Sequence, residues 1–217
     1  MAKPLHSPAA SITDRILRTA HEHLFAYGYH SLTMDNLAHE LGISKKTLYV
    51  HFRAKDVLLG RVIDALSRTI RDRMDLLVSN PQLTFAQKLQ EVAGVVESIM
   101  GRASPATFRD LQRSAPHLYG KIEEIRQRII PDVFGRIIRA GIAEGAVRAD
   151  IDAEFAALYW LQAIRGLVQP DNLERTRLTI PQTLEKALPL FVGGLLTLAG
   201  RKDYEKHLSS YANKTSL

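Results

Sequence analysis

The run Thr33-Met-Asp-Asn-Leu-Ala-His-Glu-Leu-Gly-Ile-Ser-Lys-Lys-Thr-Leu-Tyr-Val-His-Phe-Arg-Ala-Lys55 decides the reading of this chain. Leu37, Ala38 and Leu41 fall on one face of a first short helix. Gly42 is the residue type that best tolerates the left-handed conformation in which helices often end. Ile43 is an apolar plug in the turn, and Ser44 is a good N-cap for a second helix. Leu48 and Phe52, four residues apart, form the buried side of that helix and leave Lys45, Lys46, Thr47, Tyr49 and His51 on its other sides. Two helices joined in this way offer the second to the major groove of DNA.

Composition agrees with that partner. The 217 residues carry a formal net charge of +6, which favours an anionic partner, and their 46% hydrophobic content is ample for a core. The absence of cysteine excludes disulfides, thiolate zinc sites and cysteine nucleophiles. The N-terminus lacks an apolar stretch of signal-peptide length. The most apolar run, Ala187 to Ala199, is shorter than the roughly 18 residues that span a bilayer. The expectation is a soluble, intracellular protein with no membrane partner.

Outward from the central stretch, the chain reads as helices throughout, about nine in all, without strand-like alternation or internal repeats. Residues 1–10, with two prolines, read as a flexible arm. A helix capped by Ser11 or Thr13 carries Ile16, Ala20 and Leu24 inward and ends at Gly28. Thr33 caps the next helix, with Asn36 where a full capping box would place Glu or Gln. A long helix follows from about Arg53 to Val78, without a side-chain cap at Ala54, and is broken by Asn80-Pro81. Further helices are expected over 84–100, 105–114 and 116–143, the last kinked or divided at Pro131. Another covers 153–168. A polar loop then spans 169–179, and a last long helix opens at Pro181 and ends at Gly200. The remainder reads as a short helix or frayed tail.

The residues Gly28-Tyr29, Thr33, Leu37-Ala38, Leu41-Gly42-Ile43-Ser44, Thr47-Leu48-Tyr49, His51-Phe52 and Lys55-Asp56 together resemble the TetR family of one-component bacterial regulators. The resemblance covers roughly Ser11 to Arg71. It implies an all-α fold, with a three-helix DNA-binding head over 11–71 (helix-turn-helix 33–52). A ligand-binding and dimerisation body over 72–200 and a tail over 201–217 would complete it. It also implies a homodimer on an inverted-repeat operator in double-stranded DNA, in the bacterial cytoplasm and on the nucleoid, with a small-molecule effector of unknown identity.

Carried over residue by residue, Thr33, Tyr49, His51 and Lys55 would hold phosphates. Lys45, Lys46 and Thr47, behind the Ser44 cap, would sit at the groove end of the recognition helix. Phosphate contacts position a protein on the duplex and base contacts specify sequence; a lysine in the groove suits guanine O6 and N7. A repressor released by its effector is the reading that follows. The alternative is a DNA-bound adaptor of the same fold whose body engages a protein.

In the body, Phe108, His117, Tyr159, Trp160 and Arg165 are the candidate ligand contacts, weighed against ordinary core packing for the aromatics. Phe155, Tyr159 and Gln162 on the eighth helix, with Leu184, Leu188, Phe191 and Leu195 on the last, are the candidate dimer surface. Two helices from each subunit would make a four-helix bundle. His21 and His23 stand two apart, on different sides of a helix, which speaks against a metal. Neither a nucleophile–base pair nor a phosphate-cradling glycine loop is present, so no cofactor, metal or catalytic residue is expected.

Overall fold

The computed structural model describes residues 11–101 and 103–215, with side chains described as far as 206. The expected arm over 1–10 lies outside the described residues, and the end of the expected tail lies beyond them. Eleven helices follow one another: α1 Ile12–Ser31, α2 Met34–Leu41, α3 Lys45–His51, α4 Lys55–Val78, α5 Phe85–Met100, α6 Pro105–Ser114, α7 Pro116–Ala143, α8 Ala153–Leu167, α9 Pro170–Thr176, α10 Ile180–Gly193 and α11 Leu198–Thr215. Among the described residues no strand forms beyond one isolated bridge, Val147 with Leu196.

Local chemistry sets most helix boundaries. Ser11 and Asp14 close a capping box at the start of α1, Thr84 and Gln87 do so for α5, and Thr179 and Gln182 for α10. Pro105, Pro116 and Pro170 each open a helix, where a missing N–H costs nothing. Ala54 caps α4 without a side-chain hydrogen bond, as expected.

Three expectations are corrected. The count rises from about nine to eleven because the polar stretch after Gln169 winds into α9 and the C-terminal stretch into α11, which packs on α5 through buried Tyr204. Gly28 does interrupt α1 as expected, with a non-helical φ of 83°, and a last short stretch reaches Ser31 beyond the kink. α7 runs through Pro131 as one helix, because neighbours on both sides hold it: α4 and α8 pack along its length. The last long helix ends at Gly193 instead of Gly200. The turn that follows is captured by the loop after α7, with Arg148 N donating to the Leu195 carbonyl (2.9 Å) and Thr197 N to that of Ala146 (3.0 Å). Gly200 then lies inside α11, where a Cβ would stand 2.1 Å from the Ala146 carbonyl oxygen. This glycine permits a close approach of backbones; it does not stop a helix.

The core is continuous from head to body. Ile16, Ala20, Leu24, Leu37, Ala38, Leu48, Leu58 and Leu59 fill the head and reach α4. Phe85, Leu89, Phe108, Leu111, Ile137 and Trp160 fill the body. α1 packs on α6 and α4 on α7, so the head is carried on two helix pairs. Within the second pair the partners run in the same sense: Asp56 meets His117, Asp64 meets Lys121 and Asp75 meets Arg136.

Candidate nucleic-acid interface

The geometry of the stretch 33–55 begins with its turn. Gly42 adopts the left-handed conformation (φ 65°), and its N–H points back to the carbonyls of Ala38 and His39. Ile43 N also donates to the Ala38 carbonyl (3.0 Å), closing the end of α2 before Ser44 opens α3. Ser44 Oγ accepts from Thr47 N (3.0 Å) and lies 2.8 Å from Thr47 Oγ1. Leu48 is the buried residue of α3, wholly enclosed, and Phe52 is buried immediately after it. That pair anchors α3 against the head, as its spacing predicts.

Everything else on α3 faces outward. Lys45, Lys46, Thr47, Tyr49, Val50 and His51 are exposed, together with Thr33 and Ser44. Exposed Tyr49 and Val50 beside two lysines make a surface suited to a phosphate-lined groove more than to a protein core. Thr33 accepts from Asn36 N (3.1 Å) as the cap of α2, which leaves its hydroxyl at a helix start.

Three partners of these residues lie outside the motif spacing. Lys45 Nζ donates to Asp35 Oδ2 at 2.6 Å, bridging the exposed edges of α2 and α3. His51 Nδ1 lies 3.2 Å from Thr13 Oγ1 on α1, so one ring nitrogen is engaged within the head while the residue stays exposed. Lys55 is held furthest from the expected role. Its Nζ donates to the Tyr29 carbonyl (2.6 Å) and sits 3.6 Å above the Tyr29 ring, and burial holds its pKa below the usual lysine value. Tyr29 in turn donates to Asp56 Oδ1 at 2.9 Å; burial first, then this bond, raises its pKa. Thr13, Asp35, Tyr29 and Asp56 were not singled out as site residues from sequence. Their signal is three-dimensional: Thr13, Asp35 and Tyr29 come from neighbouring helices, and Asp56, next to Lys55 in sequence, is joined to it through Tyr29.

Residues 16–62 match the profile of bacterial regulatory proteins of the tetR family. Residues 16–62 thus carry the DNA-binding segment of tetR-type regulatory proteins. Among curated relatives of the chain, an uncharacterised HTH-type transcriptional regulator, YhgD of Bacillus subtilis, is 23% identical over 156 residues, covering 70% of this chain and 80% of that one. The nucleoid occlusion factor SlmA of Edwardsiella ictaluri is 24% identical over 166 residues, covering 75% and 83%. A crystal structure of the transcriptional regulator FadR from Bacillus subtilis in complex with stearoyl-CoA shares the fold (TM-score 0.60, 21% identity, 83% of this chain and 97% of that one).

In the body of the regulator, the five candidate ligand residues do not converge. Phe108 is buried under α7, with the Arg126 guanidinium 5.9 Å from its ring centre. Arg165 donates to Glu123 (3.2 Å), which also pairs with Arg126. Trp160 is buried between Phe134 and Phe191 (ring centres 5.1 and 4.8 Å), whereas Tyr159 turns outward and stacks on Phe191. His117 lies at the junction with the head, 3.2 Å from Asp56.

The candidate dimer residues also divide. Phe155, Tyr159 and Gln162 are exposed on α8. Leu184 and Leu188 are half-buried, and Phe191 and Leu195 are buried in this chain's own core. The outward side of α10 instead carries Leu190, 84% exposed. No group of histidines and acids suited to a metal occurs among the described residues, and His23 bonds Glu40 and the Ser31 carbonyl. No helix among the described residues is long and apolar enough to cross a membrane.

Proposed function

We propose that this regulator is a repressor that binds an inverted-repeat operator as a homodimer and is released by a small-molecule effector. The observation that carries the DNA half is the exposed row Lys45, Lys46, Thr47, Tyr49 and His51 on a helix fixed by buried Leu48. In this reading Thr33, Tyr49 and His51 hold phosphates, and Lys46 and Thr47 meet bases. Lys45 joins them once it leaves Asp35, and Lys55 works from behind by fixing Tyr29. The dimer half is supported by Phe155 (67% exposed), Leu158, Tyr159 and Leu190, large apolar side chains on neighbouring α8 and α10. Pairing those helices across a two-fold axis sets the two recognition helices on successive major grooves, about 34–36 Å apart or further.

Release is supported by how head and body are joined. α4 begins beside the recognition helix and ends deep in the body, while Asp56, Tyr29 and His117 tie its first turn to both. An effector acts by binding one arrangement of that joint more tightly than the other. The likeness to a FadR crystallised with stearoyl-CoA is compatible with an acyl-type effector.

The likeness to SlmA favours a second reading, a DNA-bound adaptor whose body engages a protein. One titration separates the DNA reading from any non-DNA function. Fluorescence anisotropy on the inverted repeat beside the regulator's own gene is expected to show binding that Tyr49→Phe weakens about equally on all sequences, by roughly threefold to tenfold for one lost hydrogen bond. Unchanged affinity in Tyr49→Phe removes it from the phosphate contacts.

A further inference from the structure

The seam between α4 and α7 is joined at both ends and open in between. At the head end Asp56 meets His117 (3.2 Å) and Asp64 meets Lys121 (2.8 Å), with Lys121 also donating to the Gly60 carbonyl. At the far end Arg136 gathers Asp75 (2.5 Å), Asp132 (3.3 Å) and Ser79 Oγ (3.1 Å). Seven residues, two helical turns, beyond the Asp64–Lys121 pair on each helix stand Arg71 on α4 and Arg128 on α7, which line one groove. Where the pattern would place another ion pair, it places two guanidiniums. Neither has an ion-pair partner among the described residues.

Between them lies a groove of about 340 Å³, lined by Arg71, Met74, Asp75, Arg128, Ile129, Asp132 and Val133. Its volume falls at the small end of the roughly 300–1,000 Å³ typical of ligand sites. Arg136 pairs with both aspartates, and with Arg71 and Arg128 beside it three guanidiniums face two carboxylates, so the charge around the groove is positive. Met74 and Val133, both otherwise buried, give it an apolar floor.

We propose that this groove binds a small amphipathic anion, with its acidic head between Arg71 and Arg128 and its short apolar tail on Met74, Ile129 and Val133. Arginine forks suit a planar carboxylate or a phosphate, and an anion between them relieves the repulsion of two like charges. The placement has a consequence, which rests on the effector reading above: a ligand here fastens the middle of the α4–α7 seam and so fixes the angle at which α4 carries the head.

The test is calorimetry on the full chain without DNA, with sodium octanoate as probe. Octanol and inorganic phosphate are separate arms. Saturable binding of octanoate, one per protomer, is expected. Arg71→Gln and Arg128→Gln should each weaken it by about tenfold or more, the loss of a charge-assisted hydrogen bond, and octanol should bind at least as weakly as octanoate does to the variants. Raised salt should weaken octanoate binding in the wild type. Absence of saturable octanoate binding, or equal affinity in the double variant, overturns the site. Phosphate binding as tight as octanoate's overturns the apolar floor. Both arginines are exposed and lie outside the helix-turn-helix over 33–52, so the variants should bind operator like wild type. A wild type that fails to bind DNA is a failure of the repressor reading and not of this groove.

Discussion

The head and the body use one kind of helix to different ends. In the head, the proposed contact side chains sit within one stretch of 23 residues, and buried Leu48 and Phe52 aim those on α3. In the body, the equivalent groups are drawn from helices far apart in sequence: Glu123 reaches Arg165, Arg109 reaches Glu174, and Asp75 reaches Arg136. The head can therefore be read from local spacing, whereas the body's chemistry depends on how helices meet. A short motif presented to an invariant partner such as the DNA backbone keeps its spacing. A body that pairs with its own copy and with small molecules, as proposed above, is under no such local constraint.

The largest expected effect tests the buried anchor on α3 itself. Leu48→Ala removes a fully enclosed side chain from the helix that carries the site, at a cost of about 2–5 kcal/mol. Chemical denaturation followed by circular dichroism should show that loss, with DNA binding falling alongside. A stable variant that still binds would mean that α3 is aimed by something other than its buried side.

Gly200→Ala probes the body in the same way. Its added methyl would meet the Ala146 backbone, so a loss of about 1–3 kcal/mol in unfolding free energy is expected. Operator affinity at a temperature where the variant is folded should stay at the wild-type value. A change in affinity would show that α11 and the head are coupled, and would narrow the contrast between the two regions.

Asp35→Asn is the finest test. The Asp35–Lys45 pair is solvent-exposed at both ends and contributes at most about 1 kcal/mol to stability. Removing its charge should leave the melting temperature unchanged. It should also tighten DNA binding by roughly twofold to fivefold, because Lys45 is freed and a negative charge leaves the interface. Weaker binding in Asp35→Asn would mean that the carboxylate positions Lys45 for the groove.

How far the sequence could be read follows the same division. The helix-turn-helix, its cap at Ser44, its left-handed Gly42 and its buried Leu37, Ala38, Leu41, Leu48 and Phe52 all appear in the structure as their spacing implied. Gly200 did not: a glycine that ends a helix and one that admits a neighbouring backbone look alike in sequence. Phe191 and Leu195 repeat at helical spacing on an apolar stripe, but periodicity does not say whether such a stripe faces the chain's own core or a partner. Lys55 occupies the motif position of a phosphate contact, and only the fold reveals that Tyr29 holds it. The open middle of the α4–α7 seam is likewise invisible until two helices distant in sequence are set side by side.

The most direct measurement is the affinity of the wild type and of Lys46→Ala for the operator and for a shuffled duplex across a range of salt concentrations. Wild-type affinity should fall steeply and linearly on logarithmic axes, as phosphate neutralisation requires, and should discriminate operator from shuffled DNA. Lys46→Ala should lose most of that discrimination while still binding both duplexes. A flat salt dependence would contradict DNA binding through α3, and an equal loss on both duplexes would make Lys46 a backbone contact and leave base reading to Lys45 and Thr47.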